Sequence, residues 1–505
     1  VPRLRPALAV PGLFAAGVLA TYFTSLQNYV ASGDTAEFQT VAAILGISHP
    51  TGFPAFTLLS WLFAHALPGV DQTARLGVMS SLTIVLALLC GYRLATGLGA
   101  SPGLAAAALA IVASGNTFWD CATRAEVHSM ALTASAAALL AACAWRREHA
   151  PWMLYGALGA LGLALATHAV AIWTLAACAI VILPDVRRIA PRQVVPAAAC
   201  FFAGIAIYAY LPIRSAMVVA QHLDPAESIG IPPGSAFWNY DNPSTLAGFL
   251  RLTTGSEFDK SAALLAPFDV NQWPAHAFRI VANAQVEYGS LLLLLALAGL
   301  FVLAARDYVV AAALVVFGVA PAMFVLEYGA ESSPGRYFLP FFLVLGICAA
   351  VGSSWLLKRA PADARRAGIA LLLSVAAVAL VTHRDRFFRE DAGPAMLRDT
   401  IVAGTDDRGI LLVPWPDGPQ LAYYADAERS LGHRIVIIGY VAEKKPYLAD
   451  WLRRRPVYIL KQNVPLLPGF RTTERQQGVE TIVELFAAGA LPRANGAANP
   501  QVRSL

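Results

Sequence analysis

This sequence is short of charge. Only 14% of its 505 residues are Asp, Glu, Lys or Arg, against roughly 25% in a soluble globular chain, and this excludes a single water-soluble domain. Cysteine is scarcer still. The six cysteines (Cys90, Cys121, Cys143, Cys178, Cys200 and Cys348) are scattered through apolar stretches without a CxxC pair, which excludes a disulfide framework and a zinc-binding cluster. No GxGxxG fingerprint occurs, so no nucleotide site is indicated. The net charge of +5 is dispersed in small clusters between apolar runs, where membrane topology signals lie, and nucleic acid is not an expected partner.

What is abundant is hydrophobic residues, 57% of the chain, with a mean hydropathy of +0.57. Apolar runs long enough for membrane helices recur at 7–26, 76–95, 103–118, 127–145, 152–167, 169–183, 194–213, 290–305, 308–326, 337–357 and 368–382. The expected fold class is an all-α polytopic membrane protein of about eleven transmembrane helices, followed by a small C-terminal α/β soluble domain. The first run, behind Arg3 and Arg5, is somewhat long for a signal peptide and reads as an uncleaved helix.

From His383 onward charge is dense and the apolar runs shorten. GILLVPW (409–415), RIVIIG (434–439) and VYILK (457–461) read as strands of a mostly parallel sheet, with helical segments near 419–428 and 446–454. The expected domains are therefore a membrane module at 1–382, the α/β domain at 383–486 and a disordered tail at 487–505.

Arginine and lysine place the orientation. Arg146 and Arg147, Arg187, Arg188 and Arg192, Arg306, and Lys358, Arg359, Arg365 and Arg366 fall in alternate loops on the side of Arg3 and Arg5, which the positive-inside rule assigns to the cytoplasm. The loops at 27–74, 119–126, 214–289 and 327–336, and the soluble tail, are then extracytoplasmic, and a bacterial inner membrane is the expected location.

Those outer loops carry the polar residues that composition does not explain. SGDTAEF at 32–38 sets Asp34 and Glu37 three residues apart on one helix face. The pair suits either helix capping or chemistry, and a carboxylate near bilayer depth is costly enough to need a purpose. HPTGFP at 49–54 is a rigid turn that would aim His49 at them. WDCATRAEVHSM at 119–130 packs Asp120, Arg124, Glu126 and His128 into one gap, read either as a binding site or as an exposed loop with an internal ion pair. His168 stands alone among apolar residues, as a packing or a lining residue. YLPIRS ends a helix with Arg214, which could bind an anion or snorkel; FWNYDNPSTLAGFLRLTTG follows, with Asp241, a helix start at Asn242-Pro243-Ser244 and an amphipathic run at 245–253 suited to the membrane surface. YGAESSPGRYFLPFFL places Glu327, Glu331 and Arg336 at another helix start, and the planar fork of Arg336 suits a phosphate.

SGDTAEF, HPTGFP, AEVHSM, LALATHAV, YLPIRS, WNYDNPSTLAGFLRLTTG and RYFLPFFLVLG, in that order, resemble a family long catalogued as a domain of unknown function. It includes the eukaryotic transmembrane protein O-mannosyltransferase of plexin-type receptors and is classed with the GT-C glycosyltransferases. The resemblance runs from Asp34 to about residue 346. Where the family commonly has GDSGE this chain has GDTAE, so both carboxylates match and the two residues between them differ. The resemblance implies a multispanning glycosyltransferase that takes a sugar from a polyprenyl phosphate and transfers it, with inversion, to an acceptor hydroxyl on a protein, glycan or lipid. Asp34 would be the base, assisted by Glu37 or His49, and Arg124, Arg214 and Arg336 would hold the leaving phosphate. Glu126, His128, His168 and Asp241 complete the expected binding residues. A divalent metal on Asp34, Glu37 and His49 is compatible with this set, though no spacing is diagnostic. The competing class is a transporter or flippase of a lipid-linked or anionic substrate, whose usual inverted repeats are not found.

Overall fold

A computed structural model describes residues 6–66, 68–258, 261–329, 334–387, 391–461, 470–476, 478–487 and 502–504. The chain divides into two compact units. Unit 1 comprises Val1–Gln27, Gly77–Tyr208 and Ser256–Arg389; unit 2 comprises Asn28–Leu76, Ala209–Gly255 and Glu390–Leu505.

Seven helices among the described residues are long and apolar enough to cross a membrane: Gln72–Gly97, Val127–Glu148, Ala169–Arg188, Pro191–Ala220, Trp273–Arg306, Tyr308–Tyr328 and Pro334–Leu357. An eighth span is the bent pair Pro102–Ala113 and Asn116–Thr123, and three shorter apolar helices cover Ala9–Phe23, Pro151–Thr167 and Arg366–Thr382. Each of the eleven apolar runs thus lies in a helix, although only seven or eight meet the length required of a span.

The helices of unit 1 pack through glycine. A Cβ on Gly162 would sit 2.2 Å from the Phe201 carbonyl oxygen, and one on Gly299 would sit 1.8 Å from that of Cys348. Small residues allow such backbone approach where lipid gives no hydrophobic drive for helix association. The outward faces are apolar, with Val195, Phe202, Leu291 and Phe301 all more than 60% exposed, as a lipid-facing surface requires.

The ends of these helices are polar. At one end Arg146 pairs with Asp185 at 3.0 Å and Asp307 at 3.7 Å, Arg188 pairs with Asp185 at 3.0 Å, and Arg147 donates to the Gly97 carbonyl at 2.8 Å. The loops expected on the cytoplasmic side therefore do gather together.

The 75° bend between Pro102–Ala113 and Asn116–Thr123 is fixed from the Trp273–Arg306 helix. Tyr288 donates to the Val112 carbonyl at 3.1 Å, and Glu287 accepts the Thr117 N–H at 2.6 Å, satisfying a donor that the second helix's start leaves open. The helix that supplies them is itself broken at Gly289, with φ 75° and ψ 168°, a conformation glycine adopts without penalty.

Unit 2 is built on a six-stranded sheet: β1 (Ile410–Val413), β2 (Ile435–Ile438), β3 (Val457–Leu460), β4 (Phe470–Gln476), β5 (Ile482–Ala487) and β6 (Val502–Ser504), in the order β2-β1-β3-β5-β4-β6. The first three are parallel, and β1 between them is buried along its whole length, which explains its unbroken apolar run. The mostly parallel sheet expected from sequence is corrected to a mixed one, because β5, β4 and β6 add on antiparallel. The wholly polar run RTTERQ concealed β4, and the short link from β4 to β5 permits only antiparallel pairing.

Residues 28–76 and 209–255 fall in the same compact unit as 390–505. Trp451 donates to the Ile229 carbonyl at 2.8 Å, and Val30 and Ala36 pack with Leu411, Tyr424 and Tyr458. In the tail expected to be disordered, 488–501 and 505 lie outside the described residues, and Val502–Ser504 is paired with β4.

Two outcomes follow. Gly299→Leu should lower the melting midpoint of the detergent-solubilised protein by several degrees, an overpacking cost of about 1–3 kcal/mol, whereas Gly156→Leu, with nothing within 4 Å of the added Cβ, should leave it unchanged. In unit 2, burial pushes the half-buried Asp426 up to about 7, reinforced by Asp224 and opposed by Trp238 and Arg429. The folded state then keeps a proton that the unfolded state releases near pH 4, so stability falls as pH rises from about 4 to 7. Thermal melts at pH 5 and pH 8 should show a drop that Asp426→Asn largely removes.

Candidate functional site

In unit 2 the site begins at Gly33–Ile44, a helix entered through Ser32 in extended conformation. Gly33 has φ 55°, in the left-handed region where a side chain would be strained. Neither carboxylate forms the capping box that the spacing also allowed. Ser32 is the N-cap, and Glu37 lies beyond the first turn, with no exposure to solvent. Its Oε1 accepts the His49 N–H at 2.7 Å and its Oε2 binds His49 Nδ1.

Bonding of this kind is what a buried carboxylate requires. It leaves Nε2 as the outward nitrogen of the ring. His49 itself is packed by Phe38 at 6.1 Å, Phe53 at 5.0 Å and Trp415 at 5.9 Å between centroids. Asp34, Glu37 and His49 each place one ligand-type atom within 4.8 Å of the others, so two carboxylates and an imidazole could hold a divalent cation. The turn expected to aim His49 does so through Gly52, at φ 82°, where a Cβ would press on Leu211 at 3.0 Å.

The other end of this helix is held by Arg214. Its Nε donates to the Leu45 carbonyl at 2.6 Å and its Nη2 to the Ile44 carbonyl at 2.9 Å, while Tyr210, one turn earlier, donates to the Gly46 carbonyl at 2.7 Å. A guanidinium on the last carbonyls of a helix meets both their open acceptors and the negative end of the dipole. Arg214, expected on a phosphate, thus has two donors committed to a helix terminus. Tyr210 escaped the sequence reading, although its i, i+4 spacing to Arg214 was visible.

Asp241 pairs with Arg251 at 3.1 Å, and burial pushes its carboxyl above the usual range against the pull of that guanidinium. The helix expected to start at Asn242-Pro243-Ser244 starts later, at Leu246. Its N-cap Thr245 accepts the Gly248 N–H at 3.0 Å, while Asn242 instead joins Asn239 in accepting from Ser215. The amphipathic reading of this helix holds, with Leu246 and Leu250 exposed on it.

Unit 1 carries a second cluster. Arg124 pairs with Asp120 at 2.8 Å and approaches Glu126 at 3.5 Å, and Arg336 reaches Glu126 at 3.7 Å. Glu126, the N-cap of Val127–Glu148, accepts both the N–H and Nδ1–H of His128, at 3.1 and 2.8 Å. Burial acts to raise the Glu126 carboxyl but is outweighed by Arg336, the His128 bond and Arg124, which hold it ionised well below the usual carboxylate range. The internal Arg–Glu pair of the alternative reading is present, but the stretch is not an exposed loop, since Glu126, His128 and Arg336 are all buried.

His168 is a helix-start acceptor, its Nδ1 taking the Val170 N–H at 3.0 Å, so the other ring nitrogen carries the proton. Its ring lies 4.5 Å from that of His128, and Tyr337, which sequence reasoning passed over beside Arg336, lies 4.6 Å from His128. Arg124 Nε is a buried donor without a hydrogen-bond partner among the described residues. A small pocket opens beside this cluster, with His128, Arg336 and Tyr337 among its walls and Ala131, Leu132, Val170, Phe317 and Leu339 supplying apolar surface. Glu327 pairs with His276 at 3.4 Å, and Glu331 lies outside the described residues.

The sequence-derived residues therefore form two groups. Asp34, Glu37 and His49 come together in unit 2, where Arg214 and Asp241 also lie; Arg124, Glu126, His128, His168 and Arg336 belong to unit 1.

Residues 34–188 match the family described as the N-terminal domain of protein O-mannosyl-transferase TMEM260. Protein O-mannosyl-transferase tmem260 of Dictyostelium discoideum is 33% identical over 69 residues, covering 13% of this chain and 8% of that protein. Protein O-mannosyl-transferase TMEM260 of Mus musculus is 25% identical over 247 residues, covering 46% of this chain and 32% of that protein. The chain thus spans a third or less of the length of these relatives.

Among solved structures, apo ArnT from Cupriavidus metallidurans is similar with a TM-score of 0.53 at 14% identity, over 96% of this chain and 100% of that one. The Archaeoglobus fulgidus oligosaccharyltransferase tethered with an acceptor peptide is similar with a TM-score of 0.52 at 13% identity, over 99% of this chain and 76% of that one. Residues 34–188 therefore resemble the TMEM260 N-terminal domain, and the chain is an integral membrane protein that shares its fold with ArnT and the oligosaccharyltransferase.

Proposed function

We propose that the protein is a membrane glycosyltransferase that moves a sugar, of the mannosyl type named for its relatives, from a polyprenyl-phosphate donor to an acceptor hydroxyl, with inversion. The observation that carries this reading is the buried Glu37–His49 pair with Asp34 beside it, inside the segment matched to the O-mannosyl-transferase domain. Asp34 takes the proton of the acceptor hydroxyl. The hydroxyl oxygen bonds to the sugar's anomeric carbon as the bond from that carbon to the phosphate oxygen breaks, and the polyprenyl phosphate leaves with the electron pair. Displacement from the opposite face inverts the anomeric centre.

Glu37 and His49 position and polarise this carboxylate, and Arg214 fixes the helix that bears it. A divalent cation held by Asp34, Glu37 and His49 would supply electrostatic stabilisation of the departing phosphate.

The cluster of unit 1 fits the donor. Guanidinium and imidazole groups meet an anionic phosphate, and the apolar wall of the cavity beside them suits an isoprenoid chain. Arg124 Nε adds an uncommitted donor. We assign the extracytoplasmic side to unit 2 because its three segments are the loops and tail that the positive-inside rule puts there, and the basic loops collected at one end of unit 1 support a cytoplasmic face for that end.

With purified protein, a polyprenyl-phosphate mannose donor and a hydroxyl acceptor, Asp34→Asn should lower the transfer rate by about 10²–10⁴-fold. Glu37→Gln should lower it less, with the protein still folded. Wild-type rates in Asp34→Asn would overturn the assignment of the base, and no transfer by the wild type from any polyprenyl-phosphate sugar would overturn the reading as a whole.

A further inference from the structure

Three rings pack around His49, and they are not equivalent. Phe38 and Phe53 are buried, at 1% and 3% exposure, so they serve packing alone. Trp415 is only half-buried, and it comes from the C-terminal α/β region. It follows β1 directly, in the turn Pro414-Trp415-Pro416-Asp417-Gly418, which is closed by a Gly418 N–H bond to the Pro414 carbonyl at 2.8 Å. Two prolines restrict the backbone on both sides of the tryptophan, and the turn lies at the carboxyl end of the parallel strands, where ligands of α/β sheets bind.

The ring is also fixed from outside its own turn. It stacks on Phe237 at 6.1 Å and 20°, and packs with Val41, Ile44 and Ala422. Phe237 in turn is bound to the carboxylate segment, its carbonyl accepting the Ile47 N–H at 2.9 Å. This approach is so close that a Cβ on Gly46 would fall 2.0 Å from that oxygen. The result is a rigid indole edge-on to His49, 5.9 Å away at 86°, with surface left uncovered by protein.

We propose that Trp415 is an acceptor-binding residue, through which the α/β region grips a polypeptide segment beside the hydroxyl to be glycosylated. This rests on the reading of Asp34, Glu37 and His49 as the transfer site. A large, immobilised aromatic offers contact area at little entropic cost. An extended peptide presents apolar side-chain and Cα–H surface to such a ring, and the relatives are named for transfer to protein.

The test separates acceptor binding from chemistry. Full-length protein with a polyprenyl-phosphate mannose donor is assayed for transfer to a synthetic Ser/Thr peptide and, without peptide, for release of the sugar to water. Trp415→Ala should raise the peptide KM at least tenfold, a larger change than in hydrolysis, and Trp415→Phe should recover most of the peptide affinity.

An unchanged peptide KM in Trp415→Ala would overturn the proposal, as would a parallel fall in hydrolysis and transfer with a lowered melting midpoint, which marks a purely structural tryptophan. Absence of both reactions in the wild type would instead count against the transfer reading itself.

Discussion

A carboxyl group held away from water needs partners that offset its lost solvation, and two glutamates impose this condition on the structure. Glu37 has no solvent exposure and meets it with the backbone and ring of His49. Glu126, equally buried, meets it with hydrogen bonds from His128 and the nearby charges of Arg124 and Arg336. Removing one partner of such a buried pair costs about 3–5 kcal/mol. Each glutamate therefore fixes the positions of groups that are remote in sequence. His49 is held over the helix of Asp34, and Arg336 is drawn to a helix start 210 residues earlier in the chain.

The same logic separates positioning groups from groups left for a ligand. Arg214 and Tyr210 donate to the Ile44, Leu45 and Gly46 carbonyls, so they hold the carboxylate helix in place. Glu287 and Tyr288 do comparable work in unit 1, where they fix the bend that precedes Asp120 and Arg124. Rigid supports of this kind keep reacting groups within the small tolerances that catalysis demands. What remains available differs between the units: the uncovered face of Trp415 in one, the Arg124 Nε donor and the cavity beside His128 and Arg336 in the other.

Much of this was legible in the sequence because membrane helices announce themselves by length and polarity. Every apolar run became a helix, and the polar residues stranded between runs became the two clusters. The basic loops were legible for the same reason, and the ion pairs joining Arg146, Asp185 and Asp307 bring them together. Asp34 and Glu37 were visible as a pair, but spacing alone could not distinguish capping from chemistry. That distinction depends on the partner of Glu37, and His49 reaches it only through a turn shaped by Gly52 and its prolines.

Long-range partners were not legible. Nothing in PWPDG announces that Trp415 will face His49, since that contact depends on a β-bridge between Ile47 and Phe237. Nor does the wholly polar run RTTERQ announce an antiparallel strand in a domain whose apolar runs suggested a parallel sheet.

A map of the protein with a polyprenyl phosphate bound would test the central claim, a lipid-linked sugar donor, most directly. The account predicts phosphate density against Arg336, with the first isoprene units along Leu132, Val170 and Phe317. Phosphate seated away from Arg124, His128 and Arg336 alike, or a lipid confined to the outer apolar faces, would contradict it.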